Sequence, residues 1–261
     1  MTIRPAAFDE VASVFADYGT SLRGFVRYKL TQRNLEPYLP RRKTLRVLDV
    51  GGGNGPDAAW LAHLGHQVTL VEPSSEQREY AQRRFDFFLS TAARERIVTV
   101  ASTLKDYKER DTYDLVLVHG VAMYQAQPEV LIKEAIERVR PGGLISIVEK
   151  NYWGAEARMV WRREFDGLKE LQKTHRYINN LQQNVHAFLP EEIEAILKKA
   201  QFKVLEWSGI RVLVDEVRAE ISALEQEVVD EIVELEHGHG HNPTIRGHGQ
   251  MLHFIARKPR A

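Results

Sequence analysis

The run Val47-Leu48-Asp49-Val50-Gly51-Gly52-Gly53-Asn54-Gly55 sets alternating glycines behind an apolar segment and ahead of a helical one. Glycine lets the backbone approach a ligand closely, and the N-terminus of the helix that follows favours negative charge. The spacing Gly51-x-Gly53-x-Gly55 is one residue shorter than the G-x-G-x-x-G of dinucleotide sites. Asp49, just ahead of the turn, suits an ammonium group or its neighbouring backbone amides, which a pyrophosphate would not reward. Glu72 ends the next apolar run, where a carboxylate can accept two hydrogen bonds from a ribose diol. Glu72 by itself suits NAD and S-adenosylmethionine alike.

Such a loop works only if a strand delivers it and a helix leaves it. Leu45 to Val50 is compact and apolar, as a central parallel strand requires, and Ala58, Ala59, Leu61 and Ala62 follow at helical spacing. Further strands are expected over 67–71, 97–101, 113–118 and 144–148, with helices over 75–89 and 128–139. Arg140-Pro141-Gly142-Gly143 reads as a turn before the fifth strand. The alternation predicts an α/β fold with a doubly wound, mostly parallel sheet. The first forty residues read as two helices, one carrying Phe8, Val11 and Phe15, the other Phe25, Val26, Leu30 and Leu35. Beyond the fifth strand, 151–185 are aromatic, charged and irregular, and read as an inserted cap. A helix over 190–200, a long strand over 202–214 and a last strand over 251–256 are expected. Between the last two, a helix over 215–236 would turn Val217, Ile221, Leu224, Val228, Ile232 and Leu235 inward.

Composition narrows the function classes. Thirty-six basic residues balance 36 acidic ones, so charge gives no support to a nucleic-acid partner, whose phosphates reward a basic excess. The absence of cysteine excludes disulfides, zinc–thiolate sites and cysteine nucleophiles. No apolar stretch approaches the roughly 20 residues of a membrane span, and none resembles a signal peptide. The expectation is a cytoplasmic protein without a membrane partner, monomeric or homodimeric. His237-Gly238-His239-Gly240-His241, with His248, offers no carboxylate to fix a ligand set and reads as a mobile loop; no metal is expected.

The Asp49-x-Gly51-x-Gly53-x-Gly55 loop, Glu72 and the Arg140-Pro141-Gly142-Gly143 step together resemble the class I S-adenosylmethionine-dependent methyltransferases. A closer resemblance runs over nearly the whole chain, to the bacterial tRNA 5-carboxymethoxyuridine methyltransferases. It is carried by Phe8-Asp9-Glu10, Tyr18-Gly19-Thr20, Arg27, Gly65-His66-Gln67-Val68, His119, Asn151 with Gly154, Gly209-x-Arg211-Val212 and His253-Phe254-x-Ala256-Arg257-Lys258-Pro259. The chain departs from that family at Asn54, where the family has an acid, and at Glu72, where it has an aspartate. It keeps only Lys173-Thr174-His175-Arg176 of an expected basic cluster.

The resemblance implies a seven-stranded Rossmann-like domain over 1–261, with an N-terminal helical lid over 1–40 and a cap over 151–189. It implies S-adenosylmethionine as cofactor, held by Arg27, Asp49, Gly51, Gly52, Gly53, Glu72, Pro73, Ser102, Thr103, Leu104, His119 and Gly120. Methyl transfer from a sulfonium is an in-line displacement, governed by alignment. A carboxylate acceptor is already ionised and needs no base, only a cation such as Arg211 or Arg27. A hydroxyl or amine acceptor would call for a base, and His119 is the candidate. Asn151, Tyr152, Tyr124 and Arg211 are the expected substrate contacts. The acceptor is left open between tRNA and a small molecule.

Overall fold

The computed structural model describes residues 18–40, 42–109, 111–216 and 219–260. Phe8, Val11, Phe15 and the Phe8-Asp9-Glu10 match lie outside them. The chain opens with α1 (Leu22–Leu35) and continues β1 (Arg46–Val50), α2 (Pro56–His63), β2 (Gln67–Val71), α3 (Ser75–Phe88), α4 (Thr91–Arg94), β3 (Ile97–Val100), β4 (Tyr113–His119), α5 (Pro128–Glu137) and β5 (Val139–Lys150). Next come α6 (Tyr152–Arg162), α7 (Phe165–Thr174), the hairpin β6 (Arg176–Ile178) and β7 (Asn184–His186), α8 (Pro190–Lys199), β8 (Lys203–Ile210), α9 (Gln226–His241) and β9 (Met251–Arg257). The main sheet has seven strands in the order β3-β2-β1-β4-β5-β9-β8. Its first five strands run parallel, and β9 lies antiparallel to both β5 and β8. The order reverses between β1 and β4, so a crevice opens at their carboxyl ends, where sheets of this kind bind ligands.

The central strands are apolar on both faces because helices cover both. Leu48, Val50, Val116, Val118, Ile145 and Ile147 pack on one side, Val47, Leu70, Leu115 and Leu117 on the other. α1 is part of this packing. Ser21 caps it, its hydroxyl accepting from the Gly24 N–H, and Leu22, Val26 and Leu30 pack against Ile210 and Met251. The segment before it is tied to residues 219–221 by backbone bonds from Leu22 to Ala219 and from Ile221 to Thr20.

Five expectations need correcting. Arg140 to Gly143 lie within β5 as an irregularity, with Val139 paired to Tyr113 and Leu144 to Leu115, rather than as a turn ahead of it. The region 151–185 is ordered into two helices and a hairpin around Tyr152, Met159, Leu171, Tyr177 and Val185. β8 stops at Ile210. The helix expected over 215–236 is α9, which starts at Gln226 and buries Val229, Val233, Glu236 and Gly240, while Val228 and Leu235 face solvent. Its last turn holds His237 to His241, so the Gly/His run is helical. His241 Nε2 meets Glu206 Oε1 at 2.8 Å, fastening α9 to β8. Among the described residues, no helix is long and apolar enough to cross a membrane.

Candidate active site

A cavity of about 330 Å³ occupies the crevice. Its two ends carry opposite charge. The glycine loop, Asp49, Asp57, Glu72 and Pro73 form one end; Arg23, Lys150, Arg158, Arg211 and Asp215 form the other, with Arg27 and Tyr124 also on the wall.

At the glycine end the backbone is the wall. A Cβ on Gly52 would sit 2.3 Å from Asp49 Oδ2, and one on Gly53 would meet only Gln77 Oε1, at 3.6 Å. Gly53 also holds a left-handed φ of 55° that glycine adopts without strain. Glu72 fixes the loop: Oε2 accepts the Gly53 N–H at 3.0 Å and Oε1 the Ser74 N–H at 2.8 Å. Asp49 is different. Both its carboxylate oxygens are buried with no hydrogen-bond partner among the described residues. Burial, with Asp57 and Glu72 close by, pushes its carboxyl well above the ordinary carboxylate range. A buried carboxylate without a partner is costly, and an ammonium entering from the cavity would complete it. The end therefore fits the amino-acid portion of S-adenosylmethionine beside a diol acceptor at Glu72.

Behind this end runs a hydrogen-bonded chain through the core. Asn34 Nδ2 lies 3.4 Å from His253 Nδ1. His253 Nε2 is 2.8 Å from Ser146 Oγ, which is 2.8 Å from His119 Nε2, and His119 Nδ1 is 2.9 Å from Asp57 Oδ2. The ends fix its polarity. The Asn34 Nδ2 group can only donate, so His253 Nδ1 accepts and its Nε2–H donates to Ser146. Ser146 then donates to His119 Nε2, and His119 Nδ1–H donates to Asp57. Burial holds His253 well below its ordinary range, which keeps it neutral. The bond from His119 holds the Asp57 carboxyl low against its burial. Both nitrogens of His119 are thus engaged, and its side chain is 4% exposed. This corrects the expectation of His119 as a base: no ring lone pair is left for an acceptor proton.

The basic end is assembled from separate elements. Lys150 is the last residue of β5. Burial, with Arg211 and Arg158 nearby, pushes its ammonium well below the usual lysine range. Arg158 comes from α6 and lies over the Tyr177 ring at 5.5 Å. Arg211 is the first residue beyond β8, in left-handed backbone with φ 60°, so it belongs to a turn and not to a strand interior. Such a conformation is uncommon for a non-glycine residue and is kept where surroundings over-determine it. Arg211 Nη1 donates to Tyr18 Oη at 2.7 Å, and Nη2 pairs with Asp215 Oδ1 at 2.7 Å. Arg27 reaches in from α1, donating from Nη2 to the His119 carbonyl at 3.2 Å, beside Gly120.

Two buried glutamates hold the loops that frame the cavity. Glu149 accepts the N–H groups of Val121, Ala122 and Met123. Glu236 accepts those of Val212, Leu213 and Val214. Burial outweighs these bonds at Glu149 and raises its carboxyl to about 7.

Of the expected site residues, Arg27, Asp49, Gly51, Gly52, Gly53, Glu72, Pro73, His119, Gly120, Tyr124 and Arg211 line the cavity. Five do not. Ser102 and Thr103 bond within their own turn, to the Thr103 carbonyl and to Asp106, and Leu104 is buried in the core. Asn151 is fully buried as the cap of α6, donating to the carbonyls of Gly247 and Gly249, and Tyr152 packs in the cap cluster. The cavity instead uses Asp57, Lys150, Arg158, Asp215 and the turn Asn179 to Leu181, none singled out from sequence. A lysine ending a buried strand at Lys150 was the one legible signal.

The methyltransferase domain family matches residues 22–206. The chain belongs to that family and is an S-adenosylmethionine-dependent methyltransferase. It is 26% identical to the tRNA 5-carboxymethoxyuridine methyltransferase of Escherichia coli K12 over 97% of both chains. It is 29% identical to a ubiquinone biosynthesis O-methyltransferase of Rhizobium etli over 64% of this chain and 63% of that one. The same fold occurs in 1,6-didemethyltoxoflavin-N1-methyltransferase of Burkholderia thailandensis, solved with S-adenosylhomocysteine, at TM-score 0.56 and 18% identity over 97% of this chain and 84% of that one.

Proposed function

We propose that this enzyme methylates a carboxylate, with the oxyacetate group of a modified wobble uridine in tRNA as the acceptor. The observation that carries the reading is the basic end of the cavity, where, among the described residues lining it, Asp215 is the acid set beside Lys150, Arg158 and Arg211. The whole-length likeness to the tRNA enzyme of Escherichia coli supports the tRNA acceptor. Bound S-adenosylmethionine supplies an electrophilic methyl on a sulfonium. Asp49 would hold its ammonium and Glu72 its ribose, and Gly51 to Gly53 would let it lie against the loop. Arg211, with Lys150, would hold a carboxylate acceptor with an oxygen in line with that methyl; an already ionised oxygen would take it, with the thioether as leaving group and no base required of the protein. His119 and Arg27 position the floor and roof of the site. The residues work as one domain, in the cytoplasm, with α1 as a fixed roof and the segment after β5 as the acceptor wall.

A free small carboxylate is the second reading, favoured by the zero net charge, which offers no broad basic face to RNA. Labelled methyl transfer separates the two. Incorporation into tRNA bearing carboxymethoxyuridine, released by mild base as an ester must be, is the expected result. Label entering only small carboxylates selects the second reading, and base-stable label overturns both.

A further inference from the structure

The cap holds a cluster the methyl-transfer site does not use. His175, His186 and Glu192 each offer one ligand atom, and these atoms all lie within 4.8 Å of one another. His175 Nδ1 is 3.4 Å from Glu192 Oε1, and His186 Nε2 is 3.9 Å from Glu192 Oε2. A tetrahedral zinc ion, with ligands at about 2.0–2.2 Å, holds neighbouring donors roughly 3.3–3.6 Å apart. One pair is thus at ligand spacing already and the others need small shifts.

The three side chains are held before any ion arrives. His175 caps α7 in left-handed backbone, φ 56°, its N–H bonded to Leu171 and its carbonyl to Ala187. His186 pairs with Arg176 across the hairpin. Glu192 sits in the first turn of α8, its Oε2 accepting the Leu189 N–H at 2.7 Å. The rings are braced, His175 against Tyr152 at 5.0 Å and His186 against Phe188 at 4.6 Å. All three side chains are partly exposed, which leaves an entry path and a fourth position for water. Two imidazoles and one carboxylate are a donor set that suits zinc.

We propose that His175, His186 and Glu192 form a zinc-type cation site that pins the β6–β7 hairpin to α8. The hairpin bears Tyr177, which packs on Arg158, and its turn, Asn179 to Leu181, lines the cavity. The cation is structural and sets the acceptor wall from outside it.

The test is zinc titration of the full-length chain after stripping with a chelator. One equivalent binds, and His186→Ala and Glu192→Gln each weaken it at least tenfold. Gln can keep the helix cap while losing the anionic ligand, so Glu192→Gln separates metal loss from misfolding. His237→Ala leaves the titration unchanged. Zinc also slows amide exchange over residues 176–186. No bound equivalent, or binding equal in both ligand variants and the parent chain, overturns the site.

Discussion

The two ends of the cavity were built by different routes. The glycine end comes from one stretch of chain, β1, its turn and the start of α2, with Glu72 from just beyond β2. Its wall is backbone, and its acid, Asp49, has no hydrogen-bond partner among the described residues. The basic end gathers Lys150, Arg158 and Arg211 from β5, α6 and the turn after β8, and its charges are partly matched, Arg211 by Asp215 and Tyr18. The first end is a local motif awaiting one defined ligand. The second is a tertiary assembly of three elements, each supplying one cation, so on the proposed reading a substitution there leaves the glycine end in place.

Arg211→Ala tests that separation hardest. Truncating one partner of a buried charge pair costs about 2–5 kcal/mol. The expected result is a loss of roughly a hundredfold or more in kcat/KM for the carboxylate acceptor. Calorimetry is expected to find S-adenosylhomocysteine affinity nearly unchanged; an equal fall in both would merge the two ends into one site. Asp49→Asn works at the other end. Losing a charged hydrogen-bond partner costs about 1.5–3 kcal/mol of donor affinity. The ligand-free chain is expected to gain stability, because the carboxyl is held above its unfolded value. Such a group lowers stability as pH rises above the unfolded pKa, so the gain is read by urea unfolding at neutral pH and vanishes in acid. Ser146→Ala breaks the chain behind the floor and leaves His119 and His253 each short of a partner, a cost of about 1–3 kcal/mol. That loss belongs to the fold, so it is expected to lower thermal stability with both ligands bound or absent. The smallest effect lies far from both ends. The Glu206 pairing raises His241 above the ordinary histidine range and lowers Glu206. The stabilisation is full below 6.5, is lost as pH rises through the folded His241 value, and is lost again in acid as Glu206 protonates. Being partly exposed, the pair contributes about 0.5 kcal/mol or less. Unfolding of His241→Gln across pH 5 to 8 is expected to be flatter than the parent chain's.

What could be read from the sequence followed the same division. The glycine loop, Glu72 and the parallel strands are contiguous patterns, and the fold places them where periodicity puts them. The register of α9 was illegible for a physical reason: its buried face includes Glu236, paid for by three backbone N–H bonds, and Gly240, whose Cβ would lie 2.3 Å from the Gly209 carbonyl. An apolar stripe cannot announce a buried carboxylate. His119 stood at the right strand end, but Asp57 and Ser146, which occupy its nitrogens, are distant in sequence. Lys150, Arg158 and Arg211 converge only through tertiary structure.

α1 carries a consequence for the cavity. Leu22, Val26, Leu30 and Leu35 are each at most 1% exposed, and Asn34 ends the buried chain that reaches Asp57. Prising the helix away would expose these four side chains, at about 1.5–3 kcal/mol each, a sum comparable with the whole stability of many domains. Arg27 and Tyr28, which α1 carries to the cavity, are thus held as firmly as the core itself.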